Sequence, residues 1–262
     1  MPVGAASAVE LFCAAAPGLR SLSLNCAALL PAVARALAAT GWRLEDLNLD
    51  ENADLGGAGV AELVAAPTFV IRRLGLRCCG LDAAALLSLV NVAWPLEELD
   101  LSCNDFSSAA AGPGLTALSR HVRLRELDIS NCSLSAAGFK ALVEAAWPAL
   151  TSLRAGGAEV EFEGPHALGA AAFAGFPALE ELVLIGVKLG AAGARLLASR
   201  RWACMKKLDL GYAQLGDGGL AALARGAWPA LQVLDVCGNG FRAPPTLEDA
   251  RRWAPALVEL RQ

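Results

Sequence analysis

The chain has 262 residues, 55% of them hydrophobic, a mean hydropathy of +0.46, a formal charge of −4 and a pI near 5.3. No uninterrupted apolar run approaches the roughly 20 residues that a membrane-spanning helix needs, so the hydrophobic content has to be shared out along the chain. The acidic balance offers no basic stripe to displace counterions from a phosphate backbone, which argues against nucleic acid as the partner.

One string recurs from end to end. Leu124, Leu127, Ile129, Cys132 and Leu134 form L-x-x-L-x-L-x-x-C-x-L, followed by a small-residue turn, an apolar helix and a Trp-Pro stop. The string opens at Leu19, Leu44, Ile71, Leu96, Leu124, Leu150, Leu179, Met205, Leu231 and Leu257, at intervals of 25 to 29 residues. Residues 8–19 align with 220–231 and read as the helix of a unit whose strand is missing. The chain is thus divided into a partial repeat 1–18, nine full repeats starting at 19, 44, 71, 96, 124, 150, 179, 205 and 231, and a partial repeat 257–262. Each unit contacts only its neighbours, so a single domain over 1–262 is expected. Because polar capping units normally close a solenoid, the ends are expected to be covered by further repeats or by a partner.

Counting columns from the first leucine, positions 1, 4 and 6 alternate with polar positions at period two, the pattern of a short strand with one buried face. Three apolar anchors cannot be buried without a neighbour, so the strands stack in parallel with the helices on the opposite surface. Turns such as Leu189-Gly190-Ala191-Ala192-Gly193 follow the strands. An aromatic residue precedes most returns to the sheet: Trp42, Phe69, Trp94, Trp147, Phe176, Trp202, Trp228 and Trp253 are expected to pack between repeats, and the prolines near them stop the helices. The sixth repeat departs most, with Ala155, Gly156 and Gly157 in strand columns and an acidic turn carrying Glu161, Glu163 and His166 as loop candidates for a partner contact.

This frame resembles leucine-rich-repeat proteins along its whole length, and its units in the high twenties with a full helix resemble the ribonuclease-inhibitor-like class. The resemblance implies an α/β fold, a right-handed solenoid or horseshoe with parallel strands on the concave face and helices on the convex face, and protein binding on the concave sheet or its rim. The ninth column holds Asn52, Asn104 and Asn239, or Cys79 and Cys132, where this family uses the side chain to serve the turn. Ala27, Ala158, Val187 and Ala213 can make no side-chain hydrogen bond there, and looser turns are expected in the middle and later repeats.

The eight cysteines follow the repeat rather than a disulfide framework, and no signal peptide is visible, so a cytoplasmic or other reducing intracellular compartment is expected. No zinc spacing, phosphate loop or nucleophile elbow occurs, and the chain reads as non-catalytic, without metal or cofactor.

Columns on the sheet separate stabilising charge from available charge. The second column runs Arg20, Glu45, Arg72, Glu97, Arg125, Thr151, Glu180, Lys206 and predicts a neutralising ladder. The fifth pairs Asp100 with Asp128 and Asp209 with Asp235, and Glu98 and Glu126 add to the first pair from the third column. Like charges directly opposite on a sheet are destabilising by roughly 0.2–1 kcal/mol, so these residues are expected to receive Lys or Arg of a partner protein, with Tyr212 as an interface anchor. The leading function is a protein-binding scaffold. A structural subunit of a large assembly is the alternative, suggested by the charge-poor helix within 82–95, and a regulator like the Ran GTPase-activating proteins is a third that rests on resemblance alone.

Overall fold

The computed structural model describes residues 18–157 and 168–262. Ten three-residue strands, β1 (Ser21–Ser23), β2 (Asp46–Asn48), β3 (Arg73–Gly75), β4 (Glu98–Asp100), β5 (Glu126–Asp128), β6 (Ser152–Arg154), β7 (Glu181–Val183), β8 (Lys207–Asp209), β9 (Val233–Asp235) and β10 (Glu259–Arg261), form one parallel sheet in chain order. The register joins like columns, for example Leu99 to Leu127 and Leu127 to Leu153. The strands alternate with helices α1 (Pro31–Ala38), α2 (Gly56–Val64), α3 (Ala83–Val90), α4 (Ala111–Leu118), α5 (Ala136–Glu144), α6 (Gly190–Ala198), α7 (Gly216–Leu223) and α8 (Leu247–Arg251). Between β6 and β7 the described residues form turns and contain no helix.

Packed helices sit about 8–10 Å apart and paired strands about 4.8 Å apart, so stacking strand–helix units curves the assembly with the sheet inside. The fourth-column leucines are the spine of the core: Leu99, Leu127, Leu153 and Leu182 are no more than 2% exposed. Burying each such side chain stabilises the fold by roughly 1.5–3 kcal/mol. The aromatic column is buried from Trp42 to Trp228, with Trp253 partly buried. Its indoles also bond to main chain: Trp147, Trp202 and Trp228 donate to the carbonyls of Leu142, Leu197 and Leu223, each five residues back in the preceding helix.

The eighth column is left-handed in all nine full units. Cys26, Glu51, Cys78, Cys103, Asn131 and Tyr212 have φ between 51° and 61°, and Gly157, Gly186 and Gly238 occupy the same position at 68° to 77°. This residue turns the chain from strand to outer surface, and a non-glycine residue there carries roughly 1–2 kcal/mol of steric cost. In the L-G-x-x-G turns the first glycine is also left-handed, and at the second, Gly59, a Cβ would overlap the Leu55 side chain.

The ninth-column asparagines reach further than their own turn. Asn104 Oδ1 accepts from the amides of Cys79 and Leu81 in the preceding unit, at 3.0 and 2.9 Å, while its Nδ2 donates to Leu76 and Leu101 carbonyls. Asn52 and Asn239 repeat the arrangement on the turns at Ala27 and Ala213. The expectation of a looser turn in the later repeat at Ala213 is therefore corrected, because the next unit's asparagine serves it, as Asn52 serves Ala27. Cys79 and Cys132 Sγ likewise donate back to Leu49 and Leu101 carbonyls. Ala158 lies outside the described residues.

Candidate functional site

The concave face is built from the outward columns 3, 5 and 7. Over β1 to β6 it encloses a groove of about 440 Å3, floored by Leu47, Leu74, Leu99 and Leu127 and walled by polar side chains. Gly75 puts no side chain in the fifth column between Asn48 and Asp100, and Asn48 and Asp50 lean over it, where a Cβ would come within 3.0 Å of both.

Parallel register sets Glu98 opposite Glu126 and Asp100 opposite Asp128, so four of the sequence-derived candidates share one patch. The nearest cations on the flanking strands are committed elsewhere: Arg73 bonds Asp46 at 2.7 Å and Arg154 pairs with Glu181 at 3.2 Å. Among the described residues, none of the four carboxylates belongs to an ion pair. Burial first, then the Glu126 carboxylate, pushes the Glu98 carboxyl up, with Arg73 pulling partly the other way. The patch therefore holds more negative charge than its surroundings neutralise.

The fifth column also has a local role that the charge pattern did not reveal. Asp100 Oδ1 accepts from the Ser102 amide and hydroxyl, and Asp128 Oδ1 from the Ser130 amide. Asn48 does the same for Asp50. One oxygen of each aspartate fixes the strand end, and Oδ2 is left without a partner among the described residues.

The second pair differs. Asp209 and Asp235 face each other across β8 and β9 and make the same bonds to the amides of Gly211 and Cys237, yet they are only 7% and 9% exposed. Arg261 Nη1 lies 3.9 Å from Asp235. Burial first pushes Asp209 up, and the Asp235 charge adds to it. These two carboxylates are mostly withdrawn from the surface, so the seven candidates do not form one continuous patch. Tyr212 is 63% exposed, stands in the left-handed column, and lies over Gly238, where a Cβ would come within 2.5 Å of the ring. Glu161, Glu163 and His166 lie outside the described residues.

The second column forms the expected ladder from Arg20 to Glu97 and at Lys206, while Arg125 joins no ion pair among the described residues. Arg20 pairs with Glu45, Arg72 with Glu45 and Glu97, and Lys206 with Glu180. Among the described residues no group of three or more His, Cys, Asp or Glu is disposed to hold a metal, and no helix is long and apolar enough to cross a membrane.

Two leucine-rich-repeat family profiles match, one at residues 95–118 and 203–224 and the other at residues 123–142. The bovine NACHT, LRR and PYD domains-containing protein 5 (Bos taurus) is 30% identical over an alignment of 225 residues that covers 79% of this chain and 20% of that protein. The chain thus spans about a fifth of that relative's length. Among solved structures, an internalin from Listeria monocytogenes aligns with 86% of this chain and 69% of its own at 11% identity and a TM-score of 0.40. A chain of the mouse RP105/MD-1 complex aligns over 88% of this chain and 53% of its own, at 17% identity and a TM-score of 0.26.

Proposed function

We propose that this chain, a leucine-rich-repeat protein, is a non-catalytic scaffold whose concave face captures a protein through Lys or Arg side chains. The observation that carries the reading is the quartet Glu98, Asp100, Glu126 and Asp128, gathered in one groove whose lining arginines, Arg73 and Arg154, are paired with Asp46 and Glu181 instead. A guanidinium or ammonium entering the groove can bridge Asp100 Oδ2 and Asp128 Oδ2 while Oδ1 of each stays fixed to the strand end. Charge-assisted bonds of this kind contribute roughly 1.5–3 kcal/mol each. The repeat belongs with the ribonuclease-inhibitor-like class, a subtype favoured by the long units with an outer helix in most of them. A reducing compartment suits Cys79 and Cys132, whose thiols act as buried hydrogen-bond donors in the turns.

The test uses a fluorescent Arg/Lys-rich probe peptide and the Asp100→Asn/Asp128→Asn variant. Asparagine retains Oδ1 for the strand-end bonds, so the thermal midpoint should stay level or rise while affinity falls at least about tenfold, the equivalent of 1.4 kcal/mol. Unchanged affinity, or a drop in stability with intact binding, refutes the reading.

The alternative, a structural subunit of a large assembly, is favoured by one observation. Helix α3 has no charged residue, and Leu87 is 46% exposed on it. Under that reading the isolated chain should self-associate, and Leu87→Glu should reverse it in a sedimentation experiment.

A further inference from the structure

The arc has a second rim, where each helix returns to the next strand, and its charge is opposite to that of the groove. The connecting segments 39–43, 119–123, 199–204 and 224–230 carry Arg43, Arg120, Arg123, Arg200, Arg201 and Arg225, and these four segments contain no Asp or Glu. At the α4–β5 connection this rim forms a groove of about 520 Å3. Its apolar lining includes Val70, Val92 and Val122, and Arg120 and Arg123 stand over it with no carboxylate in the lining. Such a volume lies within the roughly 300–1,000 Å3 typical of sites that bury a ligand.

Three features separate it from an incidental dent. Val122 is 64% and Val70 36% exposed, so the apolar walls face solvent. The connection is held in place: the amides of Arg120, His121 and Val122 donate to Ala117, Leu118 and Arg120 carbonyls, and His121 Nε2 lies 3.0 Å from the Leu89 carbonyl at the end of α3. Finally, neither Arg120 nor Arg123 belongs to an ion pair among the described residues, so both guanidiniums are available to a carboxylate from outside.

We propose that this rim groove docks a peptide segment of another protein in which a bulky apolar side chain is flanked by carboxylates. The apolar residue fills the space between Val70, Val92 and Val122, and the carboxylates pair with Arg120 and Arg123. Charge complementarity selects this occupant. Two arginines match a short acidic segment, while the net charge of −4 and the acidic inner face oppose an extended polyanion. The rim and the concave face take opposite charges, so one chain can hold two different segments at once.

The test is fluorescence anisotropy with a labelled probe peptide carrying a Leu-Phe pair between acidic residues, beside a lysine-flanked probe and one with serines in place of Leu-Phe. The full chain should prefer the acidic apolar probe. Arg120→Glu/Arg123→Glu should weaken it by roughly tenfold or more, because two attractive charges become repulsive, and Val122→Ser should weaken it several-fold. Asp100→Asn/Asp128→Asn should leave it unchanged, which separates this site from the concave one. All three rim side chains are exposed, so thermal midpoints near that of the unaltered chain are expected. If the double reversal does not fold, Val122→Ser decides alone. Equal binding of the three probes overturns the proposal, as does undiminished binding by the rim variants. Arginine-dependent capture by anionic phosphatidylserine vesicles without probe binding overturns it too, and so does self-association through Val122 without probe binding.

Discussion

Replacing Asn104 by alanine is the most demanding test of how the units are joined. Asn104 is 6% exposed and bridges two units with four main-chain bonds of 3.0 Å or less. Truncation leaves the Cys79 and Leu81 amides and the Leu76 carbonyl without these partners, whereas the Leu101 carbonyl keeps the Cys132 thiol at 3.0 Å. Leaving a buried main-chain group unsatisfied costs about 1–3 kcal/mol, so the three groups together predict a loss of about 3–9 kcal/mol, towards the lower end where water reaches the turn. Removing the thiol instead, in Cys132→Ala, takes one weak donor from a carbonyl that Asn104 still serves, and about 1 kcal/mol is expected. Urea unfolding followed by far-ultraviolet circular dichroism measures both, and amide exchange at Cys79 and Leu81 locates the damage, because a solenoid loses stability at the altered interface first. A loss for Asn104→Ala no larger than for Cys132→Ala would refute the claim that the asparagine ladder couples the units.

Other outcomes follow from the same geometry. Trp147→Phe removes the indole bond to Leu142 and should cost about 1–2 kcal/mol, while Trp42→Phe should cost less, since Trp42 Nε1 is buried without a partner among the described residues; thermal melts compare them. Burial pushes the Cys79 and Cys132 thiols up to about 11 and about 12, so both should resist a thiol reagent at mildly alkaline pH in the folded chain, while exposed Cys204 reacts. Asp209 titrates above its ordinary 3.8, so between these values the folded chain holds a proton that the unfolded chain has released. Its contribution to stability therefore falls as pH rises through that window. Asp209→Asn, which can keep the Gly211 bond, should raise the thermal midpoint at neutral pH, and the gain should vanish below the ordinary carboxylate range.

The leucine columns, the aromatic column and the alternating ladder from Arg20 to Glu97 were legible because each depends on one-dimensional spacing. The left-handed eighth column was legible too and was missed: Gly157, Gly186 and Gly238 share it with Asn131, the residue types most tolerant of positive φ. The strand-end bonds of Asp100 and Asp128 are short-range chemistry, and Asx-type pairing with the second following amide could have been anticipated. The reach of Asn52, Asn104 and Asn239 into the preceding unit could not, since it depends on how closely the units stack. Nor could the contrast between the two aspartate pairs. Same column and same residue type leave Asp100 and Asp128 partly open but bury Asp209 and Asp235, because side chains from adjacent units decide the exposure.

Nuclear magnetic resonance titration of the labelled chain with the Arg/Lys-rich probe tests the concave site most directly, since it reads location rather than affinity alone. Saturable shifts centred on Glu98, Asp100, Glu126 and Asp128, lost in Asp100→Asn/Asp128→Asn, are the predicted result. Shifts confined to the helices or spread evenly over the surface would contradict it.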